Sequence, residues 1–112
     1  MANSDNAKIE KELARLAATF FERESNRDAL ISVTHAEVGR GWKTATIFIS
    51  VLPSEKEKAA LDFLMRLRSE LRTYIKEHMR SRAIPFMDVK IDEGEKARQH
   101  IDDISRKIPS TN

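Results

Sequence analysis

Six cations lie within seventeen residues of this chain: Arg66, Arg68, Arg72, Lys76, Arg80 and Arg82. Only Glu70 and Glu77 oppose them, so the stretch carries a net +4. Five of the six are arginines, whose planar guanidinium offers forked N–H donors that match phosphate oxygens better than an ammonium does. At roughly 100° per residue, Arg66, Arg68, Arg72, Lys76 and Arg80 fall within one helical arc of about 160°. Leu64, Leu67, Leu71, Tyr74, Ile75 and His78 occupy a separate arc of about 100°. The spacing therefore predicts a helix with one face for a core and one for a polyanion. A charged helix face is often only a solvated face. Here the excess of Arg over Lys and the shortage of i,i+4 acids that would relieve the repulsion favour phosphate binding. Arg40 and Lys43 flank Trp42 in a candidate turn, adding secondary cations. The Trp42 indole is either a stacking surface for a base or a partly buried hairpin residue.

Other chemistries find little support. The chain has no cysteine, which removes disulfides, thiolate nucleophiles and Cys-ligated zinc together. Its three histidines, His35, His78 and His100, are far apart and form no i,i+4 ligand pair. His35 and His78 read as surface or core-edge residues rather than ligands. With only three glycines there is no phosphate-cradling Gly-rich loop and no Gly-x-Ser-x-Gly nucleophile turn. The expectation is a non-enzyme without metal, cofactor or small-molecule substrate.

Several elements must position the cations. Ile9, Leu13, Leu16, Ala17 and Phe20 place one apolar stripe on a helix from Ala7 to about Glu24, capped near Ser4 to Asn6. Leu30 to Val38 is rich in β-formers and ends at Gly39-Arg40-Gly41, and Lys43 to Leu52 alternates with Ala45, Ile47, Ile49 and Val51 on one face. This pair predicts a β-hairpin. Pro53-Ser54-Glu55 reads as a helix start with Ser54 as N-cap. Helical periodicity then runs through Ala60, Leu64, Leu67, Leu71, Ile75 and His78 until Ala83-Ile84-Pro85, as one long helix or two joined by a kink. Met87, Val89 and Ile91 alternate with Asp88, Lys90 and Asp92 as a third strand. From about Glu93, Ala97, Ile101 and Ile104 suggest a C-terminal helix. The order α-β-β-α(-α)-β-α predicts an α+β fold with helices on one face of a small mixed sheet.

At 112 residues the chain has room for one domain, with a core over about 7–105 and a flexible tail at 106–112. Lys and Arg number 20 against 18 Asp and Glu, a net charge of only +2. That small total conceals a polarised molecule, because Asp88 to Asp103 holds six acids and three bases. The N-terminus lacks a basic start followed by an apolar stretch, and no apolar run approaches the roughly 20 residues of a membrane span. A soluble, cytoplasmic monomer with no membrane partner is expected.

Taken in order, these segments resemble the bacterial ribosome-binding factor A family over roughly Lys8 to Ile104. Ala36-Glu37-Val38 and the strand Ala45-Thr46-Ile47-Phe48-Ile49-Ser50-Val51 stand at the family's spacing of a Val-Glu-Val-like strand, short turn and Ala-x-Val-x-Val strand. Leu67-Arg68-Ser69-Glu70-Leu71 matches its Leu/Ile-Arg-Ser-x-Leu helix. Arg80, Arg82, Ile84-Pro85 and Asp92 keep the register of its basic run, Val-Pro and following Asp. The chain departs from the family at three places. Phe63-Leu64-Met65 replaces an Ala-x-Gly at the kink, so the kink is expected to be weaker or shifted. Ser25-Asn26-Arg27-Asp28 replaces an Asp-Pro-Arg-like turn, and Gly39-Arg40-Gly41-Trp42 a Ser-x-Asp-Leu turn.

The resemblance implies a type II KH-like domain, α-β-β-α-(kink)-α-β with a C-terminal helix, lacking the Gly-x-x-Gly clamp of RNA-binding KH domains. It further implies a factor that binds free 30S subunits and 16S rRNA to support late rRNA processing. Arg66, Arg68, Arg72, Lys76, Arg80 and Arg82 would then grip rRNA phosphates, with Arg40 and Lys43 as secondary contacts. Two alternatives stand beside it: a general KH-like RNA-binding module, and a protein-interaction adaptor using the acidic C-terminal surface.

Overall fold

The computed structural model describes residues 4–25, 28–80 and 83–98. Helix α1 (Ser4–Glu24) is followed by strands β1 (Leu30–Val38) and β2 (Thr44–Leu52). Helices α2 (Glu57–Arg66) and α3 (Arg68–His78) then lead to strand β3 (Phe86–Ile91), and residues 93–98 are again helical. This is the expected order of elements. Residues 99–112, which include His100, Ile101 and Ile104, lie outside the described residues, as does Arg82.

The sheet has the order β1-β2-β3, with β1 antiparallel and β3 parallel to β2. Alternation in β2 works as its sequence requires: Ala45, Ile47, Ile49 and Val51 are all buried. Against them pack Leu13, Leu16, Ala17, Phe20 and Phe21 of α1, Ala60 and Leu64 of α2, and Leu71 and Ile75 of α3. Strand β1 carries a register irregularity between Val33 and His35. The extra residue shifts the phase of the strand, so that Val33 packs against the core and Ala36 is buried in it. It also brings Thr34 and His35 to one carboxylate, that of Asp92.

Two local expectations are corrected, and a third, the shifted kink, is met. Ser54 caps no helix through its side chain; Ser54–Lys56 form a 3₁₀ turn after a cis Leu52–Pro53 bond, and α2 begins at Glu57. The long helical periodicity ends at His78, well before Ala83, with Met79 already extended. There the His78 ring stacks on Tyr74, with Nδ1 2.8 Å from the Tyr74 carbonyl oxygen. Finally, the helices join at Leu67 (φ −93, ψ 7), two residues beyond Met65. No Gly or Pro makes this break. The Leu67 N–H reaches back only three residues, to Leu64 O at 3.0 Å, and the Arg68 Nε donates to Met65 O at 2.8 Å. Orphaned carbonyls at the end of α2 are thus satisfied by the next side chain in the sequence.

Candidate nucleic-acid interface

The break at Leu67 divides the expected basic arc. Arg66 belongs to the last turn of α2, Arg80 follows the end of α3, and only Arg68, Arg72 and Lys76 form a row at four-residue spacing on α3. That row is set by the opposite face, where Leu71 and Ile75 are fully buried. The arginines do not all behave alike, because their neighbours differ.

Arg72 is half-buried and turned back onto the chain. Its Nη2 donates to Ile84 O at 2.8 Å, and its Nε lies 3.2 Å from both Ile84 O and Pro85 O. The guanidinium also sits 4.7 Å from the centroid of the Phe86 ring. Such charge-assisted bonds to backbone acceptors fix the segment that enters β3. Arg72 is therefore partly structural, which the periodicity of its neighbours could not reveal. Arg68 is about half exposed, with its Nη1 3.9 Å from the Asp88 carboxylate. Arg66, Lys76 and Arg80 are exposed, and their side chains make no ion pair or hydrogen bond with other described residues.

Arg66, Arg68 and Arg72 come together around a groove of about 520 Å³ between the α2–α3 junction and β3. Ser69 and Thr73 add hydroxyls, and Met65, Met87 and Phe86 add apolar surface. No acid is among the described residues that line it. Low-dielectric walls carrying one sign of charge focus the field, so this groove suits an anionic chain.

The hairpin turn lies at the same end of the sheet. Lys43 O accepts the Phe86 N–H at 3.0 Å, and Thr44 stands opposite Phe86 in the register. Arg40 and Lys43 are exposed. Trp42 is half-buried and adopts a left-handed backbone (φ 63) directly after Gly41 (φ 74). A bulky residue in that region costs about 1–2 kcal/mol, so the turn is held by its surroundings. Lys76 and Arg80 are not part of the groove lining.

Two residues take roles that the sequence did not assign to them. Phe86 lies on the outward phase of β3 with Asp88 and Lys90, and is 67% exposed; its phase was legible once the strand was recognised. The other is Asp92. Its Oδ2 accepts from the Thr34 hydroxyl at 2.5 Å and lies 3.3 Å from His35 Nδ1, while its Oδ1 accepts the Glu95 N–H at 2.9 Å. The Thr34 hydroxyl, then that backbone N–H and the nearby His35 hold the Asp92 carboxyl below its ordinary pKa of 3.8. Asp92 thus starts the helix over 93–98 and ties it to the bulge in β1. Here His35 stacks on Phe48 with ring centroids 4.4 Å apart, and its Nε2 is 3.0 Å from Glu37.

Comparisons with known proteins agree with this architecture. A family model described as ribosome-binding factor A matches residues 5–105. The ribosome-binding factor A of Brevibacillus brevis is 35% identical over 83 residues, covering 73% of this chain and 69% of its own. The crystal structure of ribosome-binding factor A from Thermus thermophilus superposes with a TM-score of 0.70 at 18% identity, covering 77% of this chain and 93% of that one. A Thermus thermophilus ribosome-binding factor A homology model, fitted into the cryo-EM map of a 30S–RbfA complex, gives 0.63 at 17% identity, over 71% of this chain and 87% of that one. The fold is therefore the KH-like one that the resemblance implied. With the family model spanning nearly the whole sequence, the chain belongs to the ribosome-binding factor A family.

Proposed function

We propose that this protein binds the free 30S subunit through 16S rRNA and supports late maturation of that RNA in the cytoplasm, acting as a monomer and without catalysis. Family membership supports the ribosomal partner, and the fitted 30S complex of a relative supports the subunit. The observation that carries the RNA contact is the groove lined by three arginines and no described acid. Arg66, Arg68, Lys76 and Arg80 hold phosphates, and Arg72 orders the groove while offering its remaining donors. Arg82 extends the basic run in sequence, and Arg40 and Lys43 make secondary contacts from the turn. Trp42 is held in that turn and is left to packing rather than stacking.

The adaptor alternative is weakened by pairing within the acidic segment. Asp92 is bonded to Thr34, and Glu95 pairs with Arg98. Sedimentation of tagged protein over ribosomal fractions tests the proposal: it is expected with free 30S subunits and largely absent from assembled 70S ribosomes. Equal recovery across unrelated RNAs, with no enrichment on 30S, would support the general RNA-binding reading instead. If four phosphates are engaged, binding to 16S rRNA falls with a log–log salt slope of roughly −3 to −4.

A further inference from the structure

We propose that Phe86 is a stacking platform for one unpaired nucleotide, so that the groove takes a single-stranded segment of RNA rather than duplex alone. The inference rests on the RNA-binding reading above and names the kind of RNA its groove accepts.

Phe86 is the most exposed large apolar side chain among the described residues, at 67%. An isolated exposed phenylalanine would mean little, since much protein surface is apolar. This one has three further properties. It lines the groove that also holds Arg66 and Arg68, within reach of phosphates flanking a stacked base. One side of its ring faces the Arg72 guanidinium at 4.7 Å, and that guanidinium is pinned by the Ile84 and Pro85 carbonyls. Its backbone is fixed from the other side, through Phe86 N–H to Lys43 O. The ring is thus held before any ligand arrives, which lowers the ordering cost of binding.

Phe48, the corresponding outward aromatic of β2, shows the contrast. Its ring is covered by His35, 4.4 Å away and nearly parallel at 6°. Phe86 has a cation on one side and no aromatic partner among the described residues. A nucleobase offers the flat surface that completes this stack, and the flanking phosphates offer Arg66 a counter-charge and Arg68 a closer one than Asp88 at 3.9 Å. Base–aromatic stacking tolerates any base, so the expected preference is for unpaired over paired RNA rather than for a sequence.

The test uses the full chain with a short single-stranded RNA carrying one 2-aminopurine, and a hairpin-free duplex of the same length. Wild type is expected to quench 2-aminopurine in the single strand. Phe86→Ala and Phe86→Leu are expected to weaken single-strand binding by about 5- to 100-fold and abolish the quenching. Phe86→Tyr and Phe86→Trp should stay within a few-fold of wild type, and duplex binding should change little in any variant. Wild-type behaviour of Phe86→Ala, full function of Phe86→Leu, or equal losses on duplex would overturn the platform. Far-UV and thermal melts of the variants separate these outcomes from unfolding. Wild-type protein that fails to sediment with 30S subunits but quenches the single strand overturns the ribosomal reading alone, and leaves the platform standing.

Discussion

The two ends of β3 treat charge in opposite ways. At the Phe86 end, Arg66, Arg68 and Arg72 crowd around one groove with no acid among its described lining residues. At the far end, the Asp92 carboxylate is only 12% exposed, and Thr34, His35 and the Glu95 N–H all converge on it. A charge fully used inside the protein secures the fold, and it has little left for a partner. Cations that meet no described acid, such as Arg66, keep their attraction for something outside, and Arg68 is held only loosely by Asp88 at 3.9 Å. Arg72 stands between these cases, since its Nε and Nη2 serve the fold and its Nη1 has no acceptor among the described residues.

The strongest test breaks the contrast on the side of the cations, at Arg66 in the groove and at Lys76 outside its lining. Arg66→Glu combined with Lys76→Glu should weaken 16S rRNA binding by roughly 50-fold or more and reduce the salt slope by about 2, because two phosphate contacts are lost. Its thermal midpoint should stay within a few degrees of wild type, as neither side chain has a partner among the described residues. Filter binding at several salt concentrations, alongside calorimetry, checks both halves. A large loss of stability would mean these cations hold the fold after all.

Arg72→Ala comes next and should do the reverse in part. Losing the bonds to Ile84 O and Pro85 O is expected to cost about 2 kcal/mol in urea unfolding. Arg72→Lys should recover only part of this, because an ammonium cannot reproduce the fork that spans two carbonyls. Equal stability of the Lys variant and wild type would show that charge alone suffices there.

The smallest effect sharpens the other end. Asp92→Asn should cost about 1–2 kcal/mol at neutral pH while leaving RNA affinity unchanged. Its folded pKa is held below 3.8, so its contribution is complete above that ordinary value and is lost as pH falls through the lowered one. Stability of wild type and the Asn variant should therefore converge under acid and diverge towards neutrality. Urea midpoints measured between strongly acidic and neutral pH test the sign; a gap that widens on acidification would contradict it.

Much of this was legible along the chain. Strand β1 spans Leu30–Val38 as its β-formers indicate, and the alternation of β2 names its buried residues correctly. Where the reading went astray, periodicity was blind to the competing partner. Helical periodicity carries no stop before Ala83-Ile84-Pro85, whereas the backbone is already extended at Met79. The repeat leaves one helix or two open, and does not mark where the junction falls, since neither Gly nor Pro makes it. A reading of Arg72 from its spacing alone gives it to solvent, whereas the carbonyls it binds arrive from twelve and thirteen residues downstream.

The order of elements, the core faces and the excess of cations between residues 66 and 82 follow from residue types along the chain, because periodicity and composition are local properties. Which cations remain available is set by the folded arrangement. That depends on where distant acceptors come to rest: Ile84 O and Pro85 O occupy Arg72, whereas the described chain sends no acid to Arg66 or Lys76. It also carried Phe86 into the same groove as Arg66 and Arg68, through a parallel pairing of β3 with β2 that no local pattern specifies.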